Sequence, residues 1–408
     1  MKQTLWSHDF SIITIGTLIS AIGGVAMNFA FSIVVFDQTS STMLTGIFSA
    51  ISFIPSIILP IIAAPYVDRC SRKKLIVRID AGNGGLFLLF ALFLMNHDFS
   101  YLSYLLFSFV TGCSNAVYSL AYQALYPDLI PKGFAQKGYA ISSMIYPSVS
   151  ALFTPIASMI YIHYGVAMIC VLQGVLLLGA SFFEKMIRFK EIKSQKLSHF
   201  SFKEYRNDFI QGFQYLKKEK GIRNIYTYMA ITNATGNGVN MMTMAMFQSS
   251  HVLTTTMYAL LTTAETLGRM IGGIVHYFIK IPYQKRYTVA LRVYEIYQLL
   301  DCSLLLIAYP LMMINRFLAG FLGVNSLNIR ESSTQSYLPT EMRARVSAFF
   351  NVFVSLGVML VQLLTGALGE LFSYQTVAVG LSVSCMVFIY VIVIRNQKEI
   401  KMIFNREV

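Results

Sequence analysis

Ala64-Pro-Tyr-Val-Asp68-Arg69-Cys-Ser71-Arg72-Lys73-Lys74 closes an apolar run that begins near Met43 and precedes another that begins at Leu75. So many charges cannot lie in hydrocarbon, whereas the run on either side has the ~20 apolar residues that a helix needs to cross it. The stretch reads as a loop at a membrane surface, joining two spans. Composition generalises that reading: the 408 residues are 55% apolar and only 12% charged, with a mean hydropathy of +0.59. These values lie outside the usual balance of a water-soluble chain and leave no room for a sizeable soluble domain.

Continuing outward, apolar runs predict twelve membrane helices near 11–36, 43–64, 75–96, 101–122, 139–162, 165–184, 224–248, 254–279, 288–309, 311–330, 346–369 and 375–394. The connecting segments alternate in charge. Lys and Arg gather at Arg69–Arg78, Lys132 and Lys137, Lys280–Arg286, and Arg343 and Arg345; the segments around Asp37, His97, His163, His251, Pro310 and Glu370 have none. By the positive-inside rule, both termini and the long middle segment face the cytoplasm of a cell membrane. The net charge of +13 is thereby explained by topology, and because the cations are spread over alternating loops they form no nucleic-acid groove. The first apolar run is too long for a cleaved signal peptide. Five scattered cysteines and six scattered histidines offer no metal spacing, no nucleotide-binding glycine loop occurs, and no cofactor or enzymatic activity is expected.

Gln123-Ala-Leu-Tyr-Pro127 and Gln335-Ser-Tyr-Leu-Pro339 stand 212 residues apart, and the same offset carries Arg72-Lys73-Lys74 onto Gln284-Lys285-Arg286. One spacing kept by two cytoplasmic loops argues for duplication into two halves of six helices with the same orientation. The expected organisation is a half at 1–184, a cytoplasmic linker at 185–223 and a half at 224–408. Within the linker, Phe202–Leu216 is amphipathic and reads either as a lipid-contacting helix or as a solvated charged segment.

The opening stretch, with the twelve spans, the parallel halves and the central linker, resembles the major facilitator superfamily, whose signature is Gly-x-x-x-Asp-Arg-x-Gly-Arg-Lys. Ala64 and Ser71 stand where that signature has glycine. The regions Asp37–Pro55, Tyr126–Pro131 and Glu341–Ser347 are similar to drug:proton antiporters and macrolide efflux permeases. The fifth-helix antiporter signature is echoed only at Ser150, Thr154, Pro155 and Ser158, and the fourth helix lacks the basic residue such antiporters often carry. The resemblance implies an all-α membrane protein of two pseudo-symmetric six-helix halves. It also implies a conformational latch formed by Asp68, Arg69, Arg72 and Lys73, with Asp68 meeting the start of the eleventh helix beside Arg343 and Arg345; the alternative is that these charges only set topology.

Ionisable residues inside spans are costly and mark candidate sites. Glu265 and Arg269 lie four apart on one helix face, and Glu295 is expected at similar depth, so Arg269 could serve both carboxylates as a switchable partner in proton coupling. A static salt bridge is the competing reading. Asp301 and Arg316 flank an outer turn and read as a structural pair, and Asp80 as a support for the Asp68 cluster. The resemblance implies that the first, fourth, seventh and tenth helices line a cavity. Their candidates for substrate contact are Asn28; Asn115, Tyr118 and Tyr122; Asn233, Asn237 and Asn240; and Asn325 and Asn328, unless these asparagines only join helices. Twenty-one methionines could add an adaptable apolar lining. The expected protein is a monomeric secondary transporter that exports small drug-like amphipaths in exchange for protons. A carrier of lipids or of a metabolite such as a siderophore, and a sensor or scaffold that no longer transports, are the alternatives.

Overall fold

The computed structural model describes residues 5–131, 134–189, 202–278 and 281–405, and among these it is helical, with no strand. The helices are α1 (His8–Thr39), α2 (Thr42–Arg69), α3 (Arg72–Asn96), α4 (Tyr101–Leu129), α5 (Ala135–Lys185), α6 (Phe202–Lys218), α7 (Lys220–Ser249), α8 (Thr255–Phe278), α9 (Arg286–Ser303), α10 (Tyr309–Tyr337), α11 (Thr340–Leu371), α12 (Tyr374–Phe388) and α13 (Gln397–Phe404). A π-helical segment, Ile389–Ile394, prolongs α12. Two expected spans are joined in α5, which bends at Gly165, where φ is +73°. Only glycine takes that backbone angle without strain, so the chain turns there and the helical run resumes. Counting the two arms of α5 separately and setting aside α6 and α13, the helices supply the twelve spans of the expected fold.

Seven runs cross a membrane on length and apolarity alone: His8–Thr39, Thr42–Leu59, Arg72–Asn96, Tyr101–Leu129, Met144–Lys185, Phe349–Leu371 and Tyr374–Ile394. Helices α7 to α10 are not among these seven, and α8, α9 and α10 carry the buried Glu265, Asp301, Arg316 and Arg330.

The chain divides into two compact units. The first comprises Met1–Thr39 and Ile51–Phe202; the second comprises Ser40–Ala50 and Lys203–Val408. In the first, α1 and α3 pack against α5, around a core that includes Phe10, Ile13, Ile76, Leu125 and Tyr126. In the second, α7 packs on α11 and α12, and α8 on α10. Residues 40–50 belong there because Thr42 donates to the Gly366 carbonyl at 2.7 Å, while Ser41 and the Met43 amide both donate to the Glu370 carboxylate.

Helices α8 and α10 approach closely, and glycine permits it. A Cβ on Gly320 would land on the Glu265 carbonyl, and one on Gly268 on the Phe317 carbonyl. Small residues let two backbones touch in this way, where dispersion and short polar contacts replace the hydrophobic effect as the source of cohesion. Glu265 is thereby set against Arg316. The amphipathic segment predicted in the linker is helical as α6, while α13, whose Ile400, Ile403 and Phe404 are buried, was not expected.

Candidate functional site

Each unit encloses a polar cavity among its own helices. In the first, a cavity of about 370 Å³ is lined by Ser20, Asn28, Asp80, Asn83, Asn115, Tyr118 and Gln173, with apolar walls from Met27, Phe31, Phe87 and Leu177. Helix spacing explains the convergence. Asp80 and Asn83 lie one turn apart on α3, Thr111, Asn115 and Tyr118 follow one face of α4, and Ser20, Gly24, Met27 and Asn28 one face of α1.

Two buried carboxylates belong to this region, Asp80 in the cavity wall at 3% exposure and Glu184, bonded to the lining Tyr118, at 0%. The Tyr118 hydroxyl donates to Glu184 Oε1 at 3.1 Å, the Ser20 hydroxyl reaches Asp80 at 3.5 Å, and Glu184 Oε2 has no hydrogen-bond partner. Among the described residues neither carboxylate has an ion-pair partner. Two acids with no buried cation form an unusual arrangement at membrane depth, where such groups normally find a counter-charge.

In the second unit a cavity of about 180 Å³ is lined by Tyr228, Thr232, Asn233, Arg269, Tyr294, Tyr297, Gln298, Ser326 and Arg330. It corresponds to the first through the sequence duplication. At the offset of 212 residues, Ser20, Thr111, Gly112, Asn115 and Tyr118 fall on Thr232, Gly323, Val324, Leu327 and Arg330, and all ten line their respective cavities. Duplicated helices have kept the hollow while its chemistry changed. Where the first unit sets a phenol against two acids, the second sets a guanidinium.

A chain of ions runs beside the second cavity, buried except for Arg269, whose side chain is 57% exposed and lines it. Arg269 Nη2 donates to Glu265 Oε1 at 2.5 Å, Arg316 approaches Glu265 Oε2 at 3.8 Å, and Arg316 Nη2 donates to Asp301 Oδ1 at 2.5 Å. Asn315 accepts from the same guanidinium and donates to the Leu300 carbonyl at 2.9 Å. Two acids thus meet two bases, and the group is neutral.

The expected residues fall out unevenly. Asn28, Asn115 and Tyr118 line the first cavity, and Asn233 the second. Tyr122 stacks between Tyr118 and Tyr126 and hydrogen-bonds Thr17 at 2.9 Å. Asn237 donates to the Asn233 carbonyl and Asn325 to that of Phe321, and neither they nor Asn240 line a cavity described here. Glu265 and Arg269 are paired, but Glu295 pairs with Arg292 one turn away at 2.8 Å rather than with Arg269. Arg72 donates to the Ala124 carbonyl at 3.1 Å and lies 3.6 Å from Asp128, and Lys73 donates to the Ile187 carbonyl, so both cations also tie the first unit together. The side chains of Asp68, Arg69, Asn328, Arg343 and Arg345 lie outside the described residues, and so does the latch they were expected to form.

Two groups escaped sequence reasoning, and a third was given another role. Glu184 marks the expected end of a span and the start of a charged linker; in the structure it is buried against Gly16 of α1. Arg330 likewise falls at an expected helix end, but α10 continues to Tyr337, placing Arg330 about 10 Å inside the helix at 1.5 Å per residue. Asp80 lines the cavity and is more than a support for the loop charges. A usable signal existed for Arg330: the repeat offset aligns it with Tyr118.

Comparison with known proteins agrees with this architecture. The family model described as Major Facilitator Superfamily matches residues 13–291. No curated protein matches. Among solved structures, the nucleoside transporter NupG is similar at 13% identity and a TM-score of 0.70, covering 94% of this chain and 98% of its own. A bacterial homolog of the human lysosomal transporter Spinster, in an inward-facing and unoccupied conformation, is 13% identical with a TM-score of 0.67 and full coverage of both chains. A mutant of the peptide transporter POT is 9% identical with a TM-score of 0.67, covering 97% of this chain and 95% of its own.

Proposed function

Because the chain belongs to the Major Facilitator Superfamily, and is accordingly a membrane-embedded transporter rather than an enzyme, we propose that it exports small amphipathic, drug-like compounds by alternating access, with protons as the coupling ion. It works as a monomer in the cell membrane, with both termini cytoplasmic, as the charge asymmetry of its loops favours. Organic amphipaths suit cavities that mix amide, hydroxyl and aromatic walls, since a few polar groups orient a ligand that apolar contact holds.

The observation that carries the coupling is the pair Asp80 and Glu184, buried without a cation beside a polar cavity. A proton or a cationic ligand arriving there neutralises charge that the helices leave uncompensated, so occupancy and conformation can be linked. Glu265 is a poorer carrier than its sequence position suggested. It is already held by two guanidiniums, Arg269 and Arg316, which favours the static reading of that pair.

Flux of fluorescent amphiphiles through the purified protein in vesicles, driven by an imposed pH gradient, tests both levels. Transport should depend on the gradient in the unmodified chain, and Asp80→Asn or Glu184→Gln should abolish that dependence while Glu265→Gln lowers folded yield. An unchanged gradient response in both first-unit variants would remove the pair from coupling. Flux of no amphiphile under any gradient would favour a non-transporting role.

A further inference from the structure

Glu265 and Asp301 pair with Arg269 and Arg316, and Arg330 takes no part in that network. Arg330 is 92% buried, has no acidic partner among the described residues, and its Nε makes no hydrogen bond. Among the described residues the one polar partner of its side chain is the Tyr294 side chain. A guanidinium taken out of water needs compensation, by several kcal/mol as a rule, and a protein keeps one uncompensated where a ligand will supply the charge.

The same hollow contains the complementary orphan. Gln298, 2% exposed, also lines the cavity, and its Oε1 has no donor. Arg330 and Gln298, each carrying one unmet polar atom, therefore line one space of about 180 Å³, walled by the rings of Tyr228, Tyr294 and Tyr297. We infer that this cavity binds an organic monoanion, its carboxylate on Arg330, a neighbouring hydroxyl or amine donating to Gln298, and an aromatic or apolar body between the tyrosines. A single negative charge balances the single unmatched guanidinium, and planar carboxylates match its fork of N–H groups. The inference names the substrate class of the proposed transporter and so rests on that reading for its physiological meaning, though binding itself does not.

Mandelate carries all three features and serves as the probe, alongside its methyl ester, phenylacetate, which lacks the hydroxyl, and phenyl phosphate. Thermal stability of the purified full-length protein reads binding, because a ligand that prefers the folded state raises the melting temperature. Mandelate should stabilise most, phenylacetate less, and methyl mandelate not at all. Arg330→Gln should weaken mandelate binding by about tenfold or more, the worth of a charge-assisted hydrogen bond; Arg330→Lys should restore part of it, and Gln298→Leu should erase the difference between mandelate and phenylacetate. Equal stabilisation by mandelate and its ester, no stabilisation by either acid, or unchanged mandelate affinity in Arg330→Gln overturns the inference. Tighter binding of phenyl phosphate than of both carboxylates overturns the carboxylate assignment. Should Arg330→Gln not fold, the acid–ester comparison on the unmodified chain still decides. Vesicle flux separates the two levels: mandelate binding without flux of any compound sinks the transport reading alone, whereas flux of neutral amphipaths without carboxylate binding sinks this inference alone.

Discussion

Asp301→Asn is the sharpest test of the ionic chain in the second unit. Asp301 is 2% and Arg316 3% exposed, and the 2.5 Å contact between them is the strongest that Arg316 makes. Removing the charge on Asp301 leaves Arg316 facing Glu265 Oε2 at 3.8 Å, an acid whose other oxygen is occupied by Arg269. Two guanidiniums then share one carboxylate, and Arg316, 3% exposed, has no solvent to turn to. Breaking a buried pair on one side costs about 3–5 kcal/mol, because the surviving charge stays buried. That is a shift of roughly two to four powers of ten in the folded population. Denaturant unfolding of the purified protein in a mild detergent, followed by circular dichroism, measures it. Arg316→Gln should cost a similar amount. The double variant Asp301→Asn, Arg316→Gln should cost clearly less than the sum, since it removes both charges together. The exposed pair Arg292–Glu295 is the control, and its loss should cost under about 1 kcal/mol. Single variants at Asp301 and Arg316 that differ from the unmodified protein by no more than this control, or a double variant that is strictly additive, would refute the argument that charge compensation holds α9 and α10 together.

Further outcomes follow from the helix contacts. Gly320→Ala drives a methyl group into the Glu265 carbonyl and should separate α8 from α10; overpacking of this kind costs about 1–3 kcal/mol and should appear as a lower melting temperature together with lost protection of the α8 amides in hydrogen exchange. Gly165→Ala forces a left-handed backbone on an L residue at φ +73° and should cost about 1 kcal/mol even though open space surrounds the site, so a neutral effect would show that the bend relaxes. Tyr118→Phe deletes the only described hydrogen bond to the Glu184 carboxylate and should lower stability by about 1 kcal/mol; a larger loss of gradient-driven flux than of stability would tie the phenol to coupling.

What the sequence determined on its own is whatever follows from transfer between water and lipid. A chain this apolar must span a bilayer, the charges of Arg69–Arg78 must lie outside it, and the common offset of two loops made the duplication visible before any coordinates. Those constraints act on segments roughly twenty residues long, so they read well from a window. They also located Glu265–Arg269 and Asp301–Arg316, because neighbours on one helix or across one tight turn are near in sequence.

Contacts between distant helices had no such local signal, and there the tertiary structure decided. Glu295 turned to Arg292 instead of Arg269, and Arg316 became the second partner of Glu265, because Gly268 and Gly320 bring α8 onto α10 at one particular register. Hydropathy alone ends the spans at Glu184 and Arg330. Their burial emerges only once α5 packs its last turns on α1 and α10 runs two turns further than its apolar stretch. The sign of each cavity was hidden for the same reason: a sequence shows which charges a chain carries, but which of them remain without a counter-charge depends on every helix packed around them.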